Sequence, residues 1–400
     1  MNFQKTDDKT LIIITLITLF SIFFSIFLPA LLSESFLLDY RFKHLFNGSD
    51  FSFYYNNALN HFWNFETLEN LREYQLNSGM PELFFDYKST PFPITDELFL
   101  PFTVLPFFKA YYLYLIIAVG FFVAMTAVYF KKNYLQTLFY LSFVFVSYPF
   151  IASLEKGQAS LLVPPMLILF FLLLENKKYF FSLVVLAIVT HLKIFPLFIF
   201  FGFLVYLISI KKYKEILLGV AIAIVWVVLN IDSYIKFLEY VFYANDAWSK
   251  QGGIINHSIF SFGYFVKSGL GIDLEFVLKA ISWAGFIYVI WLIWKKKEIS
   301  KNAWIFLFSF SSVIPGSSFF YNLVIFFPLI LLLKKEDFLY TLLIGIILAY
   351  PLHLGLKGVL PDVLLGLASI KFIPLFILMA VSFFKEYRDY KKGILCQKEN

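Results

Sequence analysis

The stretch KKYFFSLVVLAIVTHLKIFPLFIFFGFLVYLISIKKYK, residues 177–214, decides the fold. Lysine pairs bracket it, Lys177-Lys178 at one end and Lys211-Lys212 at the other. Between them lie two apolar runs, 179–192 and 195–210, parted by Lys193-Ile194, with His191 just before the break and Pro196 just after it. The runs are continuous rather than alternating, which excludes a membrane β-barrel. They read as a helical hairpin that uses the bilayer as its solvent, with its basic ends on one side and the Lys193 turn on the other.

Working outward, the whole 400-residue chain carries the same signal. It is 60% hydrophobic and 22% aromatic, with only 15% charged residues, and its mean hydropathy is +0.77. A soluble domain is about half apolar and a quarter charged. This chain has too little polar surface to cover a water-exposed globule, so a soluble enzyme, a coiled coil and a disordered chain are all excluded. The fold class expected is all-α: a polytopic transmembrane bundle forming a single membrane domain over residues 1–400. Twelve spans are expected, near 11–32, 110–130, 134–153, 159–175, 179–192, 195–210, 215–231, 274–294, 302–314, 321–333, 338–353 and 364–384. The first run lacks a clean cleavage site and reads as a retained span rather than a secretory signal. The single cysteine, Cys396, permits neither an intrachain disulfide nor a cysteine metal cluster.

Orientation follows from the basic residues. Every second connection is lysine-rich: Lys131-Lys132, Lys177-Lys178, Lys211-Lys212, Lys295–Lys297 and Lys334-Lys335, flanked by Lys5 and Lys9 at one terminus and Lys385 to Lys398 at the other. The net charge of +6 is thus concentrated on one face. The reading is N-in and C-in in the cytoplasmic membrane, with no nucleic-acid partner. The inner connections are too short for chemistry. The outer face carries two long loops, 33–109 and 232–273, whose half-polar aromatic stretches, such as Phe51–Phe65, read as interfacial helices. Function is expected on that face.

Six polar features lie there, each with a bland reading beside a functional one. Asp50, after Asn47-Gly48-Ser49, begins a helix as its N-cap, or places a carboxylate at the mouth of the bundle as a general base. Tyr54 falls four residues on, on the same helical face, with Tyr55 beside it. Pro91-Phe92-Pro93 reads as a turn back to the membrane. Gly157-Gln158 punctuates a hairpin, with the Gln158 amide facing either the turn or a cavity. Lys193 snorkels at its turn, or supplies a buried ammonium for a phosphate; a cation at a helix centre costs about 2.5–3.5 kcal/mol. Asn256-His257-Ser258 is structural or polar lining. Pro315-Gly316-Ser317-Ser318, running on to Tyr321-Asn322, serves close helix packing or the site. All six fall on one face, which an outward-facing site fed from the membrane explains. There is no P-loop, dinucleotide fingerprint or His-x-x-x-His pair.

Taken in order, these elements resemble glycosyltransferase family 87, the polyprenyl-phosphate-mannose-type enzymes of the GT-C class. Members tend to show Asp-Phe/Leu-x-x-Tyr early in the first outer loop, a Tyr-Pro-Pro-like segment, Gly-Gln, Lys-x-x-Pro, Asn-Gln/His-Ser and a polar turn with Trp and paired His. Here these stand as Asp50-Phe51 with Tyr54-Tyr55, Pro91-Phe92-Pro93, Gly157-Gln158, Lys193 with Pro196, Asn256-His257-Ser258 and Pro315 through Asn322. Two departures are visible. The proline element matches loosely, and Tyr321 and Asn322 stand where the family has Trp and His.

The resemblance implies an inverting transfer of a sugar, with mannose expected, from a polyprenyl-phosphate donor to a glycolipid or glycan hydroxyl on the outer face. Asp50 would be the base and Lys193 the phosphate ligand. Gln158, His191, Asn256, His257, Tyr321 and Asn322 would bind donor phosphate or sugar, and Tyr54 and Tyr55 would floor a sugar ring. No metal and no cofactor are expected. The rival reading is a transporter or flippase of a lipid-linked sugar, which would need polar residues deep in several spans.

Overall fold

The computed structural model describes residues 12–17, 19, 49–62, 73, 75–77, 93–131, 133–231, 234–235, 238–239, 257–315, 320–349 and 371–398. Most of the first expected span, Pro91-Phe92, Asn256, most of the second outer loop and residues 316–319 lie outside that set. Among the described residues every regular element is a helix.

The first helices are α1 (Ser49–Phe62) and α2 (Pro93–Phe99), followed by a 3-10 turn at Leu100–Val104. Then come α3 (Phe107–Tyr129), α4 (Tyr134–Val146), α5 (Tyr148–Lys156), a 3-10 turn at Ala159–Leu162, α6 (Val163–Glu175), α7 (Tyr179–Leu192), α8 (Leu197–Ser209) and α9 (Tyr213–Leu229). The C-terminal part holds α10 (Ile259–Leu270), α11 (Glu275–Lys296), α12 (Lys301–Val313), a 3-10 coil at Phe320–Phe326, α13 (Phe327–Ile330), α14 (Phe338–Leu348) and α15 (Phe372–Lys398).

Two helices, α3 and α11, are long and apolar enough to cross a membrane on their own. A third span arises if α4 and α5 count as one, bent by 67° at their junction. One straight span was expected over 134–153. The bend comes from Ser147, whose backbone is extended at ψ 143, and from Pro149 just inside α5. The other apolar runs form shorter helices; α6, at 13 residues, is about 20 Å long at 1.5 Å per residue. The run at 321–333 is not one helix but a 3-10 coil and a single α-turn around Pro328. α15 starts later than the expected span and continues through the basic tail.

Residues Asn302 through Val313 are all buried, so α12 lies inside the bundle; a helix with no polar face turned to solvent belongs there. α8, α11 and α15 pack on it. Its Trp304 ring meets Phe170 and Phe171 edge-on, each at 5.6 Å. The polar half of α15 is held by charge. Glu386, 1% exposed, accepts from Lys296 Nζ at 2.6 Å and from the Ser300 hydroxyl. Asn302 reaches Asp389 at 3.1 Å.

The outer surfaces of α3, α9 and α11 present exposed Ile116, Leu217, Val228, Leu229, Phe276 and Ile287. Contiguous exposed apolar surface of this kind suits lipid rather than water.

The chain zigzags through α6, α7, α8 and α9. The connections at 156–162 and 193–196 meet at one end of these helices through the Lys193–Gln158 hydrogen bond, and Tyr234 reaches His191 at that same end, while the connections at 176–178 and 210–212 close the other. At the second end Lys177 and Lys211 both take left-handed backbone, φ 56 and 62. The next amides, of Lys178 and Lys212, bond back to Leu173 and Leu207 carbonyls at 2.9 Å, closing each helix with the same C-terminal motif. A lysine there meets the negative end of the helix dipole.

Candidate active site

The site is built on a tight turn. α5 ends at Gly157, whose φ of +65 is left-handed, so the chain reverses within one residue. α1 crosses directly above: a Cβ on Gly157 would lie 2.7 Å from Phe51 Cβ and 2.8 Å from Tyr111 Cε2. Only glycine satisfies both the backbone angle and the approach. Two tyrosines of α3 fix the turn. Tyr111 donates to the Leu154 and Glu155 carbonyls at 2.8 and 3.1 Å. Tyr114 donates to the Gln158 carbonyl at 2.6 Å.

The turn presents the Gln158 side chain, 2% exposed. Its Oε1 accepts from Tyr54 OH at 3.0 Å and from Lys193 Nζ at 2.9 Å. Both partners are donors, which turns the NH2 end of the amide away from them as a donor. Positions 104 and 35 residues from Gln158 therefore meet on one oxygen.

Asp50 completes the group. It lies in the first turn of α1, which begins at Ser49, rather than capping it; a carboxylate there also complements the helix dipole. Its charge acts on both partners of Gln158. Lys193 sits in the connector between α7 and α8, outside both helices. Burial lowers the pKa of its ammonium to about 8, and Asp50 acts in the opposite direction. Burial raises the pKa of the Tyr54 hydroxyl and Asp50 adds to the rise, so Tyr54 stays a donor. Asp50 and Lys193 each keep part of their surface accessible.

Other expected residues fall differently. Tyr54 packs its ring against Phe99 of α2 in a tilted contact, centroids 4.7 Å apart. Tyr55 does not floor the site: fully buried, it meets Phe107 edge-on and donates to the Leu105 carbonyl at 2.7 Å. His191 Nδ1 shares a hydrogen bond with Tyr234 OH, one helical end along from Lys193. His257 is fully buried, and its Nδ1 accepts from the Lys371 amide at 3.0 Å, leading toward α15. Asn322, 4% exposed, belongs to the 3-10 coil that packs on α5 and on the 159–162 turn. Its Oδ1 is buried with no partner among the described residues. The side chain of Tyr321 and the whole of Asn256 lie outside the described set. Among the described residues no group of three or more metal-ligating side chains occurs.

Sequence reading missed Tyr111 and Tyr114. The signal was present: two hydroxyls three residues apart at the start of an apolar span need acceptors, and the Gly157-Gln158 turn has them.

The profile of glycosyltransferase family 87 matches residues 93–315, more than half of the chain. The chain belongs to glycosyltransferase family 87. A family 87 protein transfers a sugar from a donor to an acceptor, and the apolar helices make this one a membrane glycosyltransferase. The match takes in Gln158, Lys193, His191 and His257, while Asp50 and Tyr54 precede it. Comparison with curated proteins and with solved structures returned no match.

Proposed function

We propose that this glycosyltransferase moves a hexose, mannose by family resemblance, from a polyprenyl-phosphate donor to a hydroxyl of a glycolipid or glycan. The observation that carries the reading is the shared oxygen of Gln158, which holds Tyr54 and Lys193 together under the charge of Asp50.

The ammonium of Lys193 binds the donor phosphate. As the bond from the sugar C1 to the phosphate oxygen breaks, negative charge grows on the phosphate, and a fixed cation in a low-dielectric pocket stabilises that change. The leaving polyprenyl phosphate is a stable anion and needs no general acid. Asp50 takes the proton of the acceptor hydroxyl as its oxygen bonds to C1 from the opposite face, a contribution of about 10²–10⁴ in rate. The products are the glycosylated acceptor, of inverted configuration, and polyprenyl phosphate, with the proton on Asp50. Gln158 keeps the ammonium and the Tyr54 hydroxyl in register and offers its NH2 to a phosphate or sugar oxygen. The reaction is metal-independent in this scheme.

The same reading sets the chain as one twelve-span domain over residues 1–400, N-in and C-in, with the 33–109 and 232–273 loops and the site facing outward from the cytoplasmic membrane. The repeated left-handed lysine turns, opposite the Gln158 end, support this orientation.

The test is product analysis. Purified protein is incubated with radiolabelled polyprenyl-phosphate sugars and a lipid acceptor extract, then resolved by thin-layer chromatography. The account expects a labelled product and one equivalent of polyprenyl phosphate from one sugar of the panel. Donor that crosses the membrane of vesicles with its sugar–phosphate bond intact would instead identify a flippase.

A further inference from the structure

Glu97 takes no part in this mechanism, yet it stands beside the site. It belongs to α2, whose Phe99 ring packs against Tyr54. At about 100° per residue, Glu97 is turned roughly to the opposite face of that short helix. α2 packs on α7 as well as on α1. At the end of α7 lies His191, two residues before Lys193, sharing its hydrogen bond with Tyr234. The charge of Glu97 reaches the Tyr234 hydroxyl, whose pKa is raised first by burial and then by Glu97. The Trp226 ring, with its Nε1 shielded from solvent, adjoins the same hydroxyl. One carboxylate, one phenol and one imidazole are thus brought together where α2 packs on the end of α7 that leads into Lys193.

Two features of Glu97 ask for a ligand. Its Oε2 is shielded from solvent and has no hydrogen-bond partner among the described residues, although a carboxylate oxygen accepts up to two hydrogens. Leaving such an oxygen bare costs free energy that a bound donor returns. The charge also matters. A carboxylate repels a phosphate and accepts paired hydroxyls, the complement of what the Lys193 ammonium selects.

We propose that Glu97, Tyr234 and His191 form a carbohydrate subsite that grips the hydroxyls of an uncharged sugar ring and excludes phosphate. The inference rests on the reading of Lys193 as the phosphate ligand only for its place in the reaction. The ring is either the donor's sugar or a sugar of the acceptor; both present the same hydroxyls. Glu97 accepts from two of them, and Tyr234 and His191 each exchange one hydrogen bond for one with the ring.

The test is a binding titration of purified full-length protein, followed by saturation-transfer NMR, with methyl α-mannopyranoside and methyl phosphate as probes. The parent protein should bind the glycoside saturably. Glu97→Gln, which keeps the side-chain size, should weaken glycoside binding at least fivefold and leave methyl phosphate unchanged or tighter. Tyr234→Phe, which removes only a hydroxyl, should weaken the glycoside at least twofold and provides a second reading independent of the first variant's folding. Absence of saturable glycoside binding to the parent, or unchanged affinity in both variants, would overturn the subsite. Lys193→Ala should abolish methyl phosphate binding alone; if it does not, the phosphate assignment fails while the glycoside result stands. Adding polyprenyl-phosphate mannose separates the two sources: displacement of the glycoside assigns the ring to the donor, and simultaneous binding assigns it to the acceptor.

Discussion

Replacing Gly157 by alanine tests how the turn holds the site together. The left-handed backbone costs an L-residue about 1–2 kcal/mol. The new methyl group would sit 2.7 Å from Phe51 Cβ and 2.8 Å from a Tyr111 ring carbon. Neither neighbour is a flexible tip. Phe51 Cβ moves only with the backbone of α1, and the Tyr111 ring is held by two hydrogen bonds to the turn. Overpacking of this kind costs about 1–3 kcal/mol, for a total of about 2–5 kcal/mol. Gly271 provides the control. Its φ is +70, but nothing lies within 4 Å of its would-be Cβ, so Gly271→Ala should cost only the backbone share. The two variants are compared by thermal unfolding in detergent and by donor turnover per folded molecule. Gly157→Ala should melt well below Gly271→Ala and lose turnover, because pushing Phe51 displaces the adjacent Asp50. Equal melting, or a lower melting point with turnover intact, would refute the argument.

Other outcomes follow from the same geometry. The Lys193 ammonium, with its pKa lowered to about 8 by burial, binds a phosphate only when protonated. kcat/KM for the donor should therefore fall as pH rises through about 8, while the fall in kcat should lie at higher pH, since a bound anion stabilises the ammonium; a kcat/KM that is flat to pH 10 contradicts the assignment. Tyr54→Phe removes the 3.0 Å hydrogen bond to Gln158 but keeps the ring contact with Phe99; it should cost about 0.5–1.5 kcal/mol in chemical unfolding. Glu386→Ala breaks the pair that ties α15 to α11. It should cost about 2–3 kcal/mol, less than the ~3–5 kcal/mol of a fully buried pair, because Lys296 keeps 21% of its side chain exposed. Turnover per folded molecule should be unchanged, because the pair is remote from Gln158.

Most of the helical architecture was legible because apolar runs separated by lysine pairs carry it. Helices α3, α7, α8, α9 and α11 fall within three residues of the runs expected for them. Deviations occur where single residues override hydropathy. Pro149 bends one run into α4 and α5, and Pro328 helps reduce another to a 3-10 coil and one turn. Hydropathy could not show that α1 would be drawn into the core: Phe51, Tyr55 and Leu59 are fully buried against α2, the 3-10 turn and α3. At the site, Asp50, Tyr54, Gln158 and Lys193 were legible as polar residues with no business in an apolar chain. That Tyr55 would face away was not, because the direction of a side chain on a helix depends on what packs against it. Glu97 and Tyr234 were passed over, since a single carboxylate in an outer loop and a tyrosine among 25 look ordinary until the fold brings Tyr234 onto His191 and the charge of Glu97 onto Tyr234.

The most direct measurement is the paired rate and donor affinity of Asp50→Asn. Asparagine keeps the shape and the start of α1 but cannot take a proton. The account predicts a loss of turnover of at least about 10²-fold, with affinity for the polyprenyl-phosphate sugar within a few-fold of the parent's. Transfer at the parental rate would mean that another group, or none, removes the acceptor proton.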